Sequence, residues 1–233
     1  MNKFNISMKN RIVALSVILI VSFAGFSQNQ TADDISMEKQ ILKSAKKIGD
    51  PSVAKSSIFR LIALEGENST YKDSLAYIYF SARQYAPCFM IANEVLQRDP
   101  KHLEMLEIKG ISLEALGAFD KSLEVYEELF KLSNNNFHGY NLAKLQYSLK
   151  KYDDAFKTIQ EIEKLNDSGT YKVAFVINQN HNQEIELLAA ISYLKGITAI
   201  ELNKKDVAKA SFEKALKIQS DFILAKEKLE SLK

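Results

Sequence analysis

Five stretches of this chain fall into register at a spacing of about 34 residues, and that period restricts the fold more than any other feature of the sequence. When residues 103–136 are laid on residues 69–102, Gly110 falls on Ala76, Leu113 on Tyr79 and Leu116 on Ala82. Phe119 then falls on Tyr85, Ser122 on Cys88 and Leu129 on Val95. The preceding 34 residues place Leu42, Ala45, Ile48, Pro51, Ala54 and Leu61 in the same slots. A further copy begins at Asn136 and supplies Ala143, Leu149, Tyr152, Ala155 and Ile162. The last begins at Ala189 and supplies Gly196, Ala199, Leu202, Lys205, Ala208 and Ala215.

Two columns carry the structural meaning. The twentieth slot holds Ala54, Cys88, Ser122, Ala155 and Ala208, all small. The eighth holds Ala76, Gly110, Ala143 and Gly196, with Leu42 as the exception. Helices that cross closely need small side chains at the contact, because protein interiors are packed to nearly crystalline density. Slots 4 to 14 and 20 to 30 have the apolar spacing of amphipathic helices. Short turns separate them, such as Gly49-Asp50 before Pro51, a residue suited to the first turn of a helix. A hairpin of two such helices cannot bury its apolar face alone, whereas stacked copies share one continuous core.

The period and pattern resemble the tetratricopeptide repeat family, whose 34-residue signature places Leu-Gly, Tyr, Ala, Phe and Pro at fixed offsets. The stretches "GISLEALGAFDKSLEVYEELF", "LKKYDDAFKTIQEIEKL" and "LNKKDVAKASFEKALKIQSDF" carry the likeness, and Pro100 takes the closing-proline position of the second copy. It covers residues 35–233 less one insertion. The departures are a missing first-helix aromatic, Lys109 and Lys195 in a slot that is usually apolar, and a degenerate first copy. The resemblance implies an all-α, right-handed superhelical solenoid of about five helix-turn-helix repeats, near 35–68, 69–102, 103–135, 136–168 and 189–222. Ser220-Asp221 are expected to cap one more helix over 222–232.

Residues 166–186 break the period. Tyr171, Val173, Phe175 and Ile177 alternate with Lys172 and Asn178, "NQNHNQ" supplies turn residues, and "QEIEL" alternates again. This predicts an inserted β-hairpin over 170–187. A lone hairpin is marginal in water, so its apolar face must be covered, either by the repeats or by a partner.

Residues 1–27 form a separate region. Lys3, Lys9 and Arg11 precede an uncharged, mostly apolar run over 12–26, and Gly25 and Ser27 supply small residues at the −3 and −1 positions of a cut after Ser27. This is the layout of a secretory signal peptide, and the run is shorter than a bilayer span of about 20 residues. Export to the periplasm or cell envelope is the expectation, with an uncleaved membrane anchor as the alternative. The polar residues 28–34 read as a linker. Setting aside the three basic residues of the leader leaves 28 Lys and Arg against 29 Asp and Glu. That balance carries no basic footprint for nucleic acid.

No HExxH, CxxC, GxSxG or phosphate-cradling glycine loop occurs. The three histidines lie far apart in sequence, and Cys88 sits in the small-residue column. Neither a catalytic role nor a cofactor or metal is expected. The anticipated role is a non-catalytic scaffold for a protein or peptide. In the family the first helix of each pair lines a concave groove. By position the resemblance assigns to it Lys39, Lys43 and Lys46, then Tyr77 and Phe80, then Glu107 and Ile111. Phe137, Tyr140, Asn141, Lys144 and Tyr147 follow from the fourth copy, and Tyr193 and Ile197 from the fifth. Tyr140, Asn141 and Lys144 are only a fragment of the set with which some members grip a peptide's C-terminal carboxylate.

Overall fold

The computed structural model describes residues 30–165 and 171–232; the leader read over 1–27 lies outside them. These residues are helical apart from one two-stranded sheet, and they divide into two compact units, one ending at Gln84 and one running from Tyr85.

In the first unit, residues 30–48 form α1, followed by α2 (Pro51–Glu65) and α3 (Tyr71–Ser81). Residues 30–34, read above as linker, are already helical. The sequence dictates where α2 begins. Asp50 Oδ1 accepts from the backbone N–H groups of Ser52 and Val53 at 3.0 and 3.1 Å, and Pro51 occupies the first turn, where its missing N–H costs nothing. Leu42, Ala45, Ala54, Ile58, Leu61 and Leu75 are buried. Glu38 is buried too, and receives a hydrogen bond from Arg60 Nη1 at 2.8 Å.

The second unit contains α4 (Tyr85–Arg98), α5 (Leu103–Ala115), α6 (Phe119–Ser133), α7 (Asn136–Ser148) and α8 (Tyr152–Ile162). Then come β1 (Lys172–Asn178) and β2 (His181–Glu186), followed by α9 (Leu187–Glu201), α10 (Lys205–Ile218) and α11 (Ile223–Glu230). Helix α5 packs on α6, α7 on α8, and α9 on α10, with α4 against α5 and α6 against α7. The five small residues of slot 20 are all buried. At one crossing the reason for a small polar residue is explicit: Ser122 Oγ donates to the Gly110 carbonyl at 2.9 Å, joining slot 20 to slot 8.

The same turn recurs in all five copies. Gly49, Arg83, Gly117, Lys150 and Asn203, each the fifteenth residue of its copy, have φ of +72°, +55°, +76°, +60° and +58°. The next residue donates its N–H to the carbonyl five back: Asp50 to Ala45, Gln84 to Tyr79, Ala118 to Leu113, Lys151 to Gln146 and Lys204 to Ala199. These distances are 2.8–2.9 Å. A left-handed residue with this bond closes a helix and turns the chain back on itself.

Strands β1 and β2 pair antiparallel with Val173 opposite Ile185 and Phe175 opposite Gln183. Val173, Phe175 and Ile177 are half-buried while their neighbours are exposed, so the alternation read from sequence holds across β1. The apolar face is covered from within the chain. Ile185 is fully buried, and the Phe175 ring meets those of Tyr193 (5.6 Å between centroids) and Phe222 (5.0 Å), both edge-on. Ser220 and Asp221 do not cap α11. Its N-cap position is Phe222, which has no capping side chain. Gln183 of β2 does that work instead, accepting from Ile223 N–H at 3.1 Å and donating Nε2 to the Asp221 carbonyl at 2.6 Å.

Candidate groove on the first helices

On α5, Glu107, Ile111 and Glu114 recur at i, i+4 and i+7, the spacing that puts side chains on one helical face. On α7, Phe137, Asn141 and Lys144 recur at the same spacing. The two stripes line one open pocket of about 520 Å³, completed by Ala115, Phe119 and Tyr126. Helix α6 supplies Phe119 and Tyr126, so the apolar part of the pocket is Ile111, Ala115 and the rings of Phe119, Tyr126 and Phe137.

The charges around it are uneven. Tyr126 donates its hydroxyl to Glu114 Oε2 at a long 3.4 Å. Burial, reinforced by the charges of Glu114 and Glu107, holds the Tyr126 hydroxyl far above the usual tyrosine value. Glu107 faces His138 Nε2 at 3.9 Å. Burial lowers the His138 imidazole below its ordinary value, so the ring is mostly neutral near pH 7 and offers Glu107 little countercharge. Burial, and then the charge of Glu104, pushes the Glu107 carboxyl up.

The other groove positions inferred from the resemblance have different fates. Tyr140 and Tyr193 are 4% and 8% exposed and belong to the core rather than to an open surface. Tyr193 is covered by Phe175, Phe222 and Phe212, at centroid distances of 5.6, 5.0 and 5.8 Å. Burial pushes its hydroxyl up to about 12. Tyr140 shares that core, and burial with the nearby Tyr193 raises its hydroxyl too. Tyr147 packs on Tyr152 at 5.5 Å. Phe137 remains a pocket wall but is stacked on one side by Tyr171, 5.2 Å away and tilted by 20°. The insertion thus takes up two of the aromatic rings assigned to the groove, Phe137 and Tyr193. Tyr77 and Phe80 lie in the first unit, where Tyr77 is exposed and Phe80 half-buried. Lys39 pairs with Glu65 at 3.4 Å.

Glu114, Ala115, Phe119 and Tyr126 are the pocket residues missing from the groove positions read from the sequence. Glu114 was within reach of it, since it continues the stripe begun by Glu107 and Ile111. Phe119 and Tyr126 were hidden because they come from a second helix. Cys88 is fully buried beside Ser112, and burial raises its thiol. Among the described residues no three His, Cys, Asp or Glu side chains are grouped to hold a metal. Nor is any helix among them long and apolar enough to cross a membrane.

Repeated helix-turn-helix pairs with matching crossings and matching turns define an α-helical repeat protein with an open groove on its first helices. Residues 189–222 match the tetratricopeptide repeat model. The TPR repeat-containing protein MJ1428 of Methanocaldococcus jannaschii is 36% identical over 80 residues, which are 34% of this chain and 14% of that protein. Among solved structures, the fold is similar to a MamA protein (TM-score 0.65, 13% identity, 81% of this chain and 93% of that one). It is also similar to MamA 41-end from Desulfovibrio magneticus RS-1 (0.63, 13%, 82% and 98%). A third likeness is to YrrB, described as a TPR protein with an unusual peptide-binding site (0.63, 14%, 80% and 87%). Residues 189–222 are thus a tetratricopeptide repeat, and the fold of the chain is the one that these helical-repeat proteins share.

Proposed function

We propose that this protein is a non-catalytic scaffold of the cell envelope that holds a protein or peptide segment in the groove between α5 and α7. One observation carries the reading: the facing stripes Glu107–Ile111–Glu114 and Phe137–Asn141–Lys144 leave an open, partly apolar trough. Its walls belong to rigid helices. Phe119 and Phe137 supply large contact area at small entropic cost, which is why such rings weigh heavily in recognition. Asn141 and Lys144 offer donors to a main chain or an acidic group. The peptide-binding site named for YrrB adds weight by analogy of fold. Export rests on the basic residues and apolar run of 1–27.

The test is affinity capture from an envelope extract with the full chain and with Phe137→Ala and Asn141→Ala. Recovery of a partner that falls at least tenfold with either substitution supports the groove. Recovery unchanged by both rejects it. N-terminal sequencing of the protein from cells addresses export separately: a start at Gln28 supports a cleaved leader, and an intact Met1 supports an anchor.

A further inference from the structure

Among the described residues that line the groove, the carboxylates outnumber the cations two to one. They are Glu107 and Glu114, on the same stripe of α5 with the apolar Ile111 between them. The ion pair made by Glu107 is a 3.9 Å approach to His138, whose ring burial keeps mostly neutral. Glu114 accepts a long hydrogen bond from Tyr126 at 3.4 Å. Across the trough α7 contributes one ammonium, Lys144, against these two carboxylates.

Half-burying a carboxylate without a countercharge is unfavourable, and the raised Glu107 carboxyl is the sign of it. A cation arriving from outside would offset that penalty while losing little of its own hydration in an open trough. The apolar floor asks for something else beside it. Ile111, Phe119 and Phe137 present hydrocarbon and ring faces that a bare metal ion or a polyamine would leave uncovered.

Resting on the reading that this face binds a peptide, we propose that the α5–α7 groove selects an extended segment in which a lysine or arginine lies next to a large apolar side chain. The cation pairs with a carboxylate of the Glu107–Glu114 stripe, whose two members lie about 10 Å apart along α5, and the apolar group lies on Ile111, Phe119 and Phe137. Lys144 on the opposite wall disfavours a second cation, so a single basic residue fits better than a basic run. With a formal net charge of +2 on the whole chain, general attraction does not produce such a preference, and it must arise locally.

The experiment uses the full chain and three labelled ten-residue peptides that share a leucine-phenylalanine pair and differ only in the flanking residue: lysine, glutamine or glutamate. Binding is read by fluorescence anisotropy at about 0.15 M salt, where charges further apart than roughly 8 Å are screened. The lysine peptide is expected to bind about tenfold tighter than the glutamine peptide, and the glutamate peptide weaker still. In Glu107→Gln/Glu114→Gln the lysine advantage should vanish while the glutamine peptide binds as before. Equal binding of all three peptides, lost in Phe137→Ala, would overturn the charge preference and leave the peptide groove standing. A lysine preference that survives the double substitution would also overturn it. Binding of none of the three, or binding indifferent to Phe137→Ala, would overturn the groove reading as well.

Discussion

Gly196 on α9 lies directly under the ring of Phe212 on α10. A methyl group added at Gly196 would come within 2.4 Å of Phe212 Cε1 and 2.7 Å of Cδ1 and Cζ. Phe212 is fully buried, so the ring has nowhere to retreat. The pair occupies slots 8 and 24 of its copy, and the third copy repeats it: a methyl on Gly110 would meet the Tyr126 ring at 3.1 Å. In the fourth copy the same slots hold Ala143 and Ile159, both fully buried, a larger residue facing a smaller one. In the third and fifth copies the small residue of slot 8 is therefore one half of a volume match. Gly196→Ala is expected to destabilise the protein by about 1–3 kcal/mol. Gly196→Ala/Phe212→Leu should lose less than the sum of the two single substitutions, a coupling that denaturant melts of all four proteins would measure. Strict additivity would contradict the packing.

The recurring left-handed turn makes a second prediction. Lys150 has φ +60°, a conformation that costs a residue with a Cβ about 1–2 kcal/mol, while its counterpart Gly117 at φ +76° carries no such cost. Lys150→Gly should stabilise the chain by roughly 0.5–1 kcal/mol, after the extra freedom of glycine in the unfolded state is subtracted. Asn203→Gly should gain less, because asparagine tolerates this region better. A thermal melt that moved down for Lys150→Gly would contradict this account of the turn.

How far the sequence carried follows from where each contact originates. The crossings were legible because both partners sit in one copy: Ala208 and Gly196 recur at fixed slots whatever surrounds them. The strands of the insertion were legible because their alternation is local. Tyr193 was not. Its position marks it for the groove, but Phe175 and Phe222, which cover it, come from an insertion and from the chain's last helix. The same holds for the start of α11, where Ser220-Asp221 look like a cap by composition. The acceptor for Ile223 N–H is Gln183, forty residues away in sequence. Lys195, out of place in an apolar slot, makes sense only beside Glu163 of another copy.

Gln183 ties the hairpin to the last helix. Its amide both donates to the Asp221 carbonyl and accepts from Ile223 N–H, and Gln219 reciprocates by accepting from Glu186 N–H and donating to the Glu184 carbonyl. Gln183→Ala removes two hydrogen bonds at a half-buried site, a loss of about 1–3 kcal/mol. The loss should appear locally. Amide exchange over 223–230 is expected to quicken at least tenfold while that of α5 and α6 stays unchanged. Gln183→Glu keeps the acceptor and removes the donor, and should fall between the two. Uniform quickening throughout the chain would mean that Gln183 supports global stability and not the start of α11.

Glu163, just after α8, is gripped by two lysines: Lys195 Nζ of α9 donates to Oε2, and Lys214 Nζ of α10 donates to Oε1 at 3.0 Å. Burial alone would raise this carboxyl, but the hydrogen bonds and charges of Lys195 and Lys214 outweigh it and leave it lowered. A carboxylate lowered on folding binds its proton more readily in the unfolded chain. Its contribution to stability is therefore complete above the ordinary glutamate value of about 4.3 and is lost as the pH falls through the depressed folded value. Glu163→Gln should accordingly melt below the parent protein at pH 6–7, with the gap closing as the pH drops below about 4. Lys195→Met alone should retain part of the gap, because Lys214 still holds one oxygen. Melting curves recorded from pH 7 down to 3 would decide it, and a gap that widened toward acid would mean the carboxylate is held against its charge rather than by it.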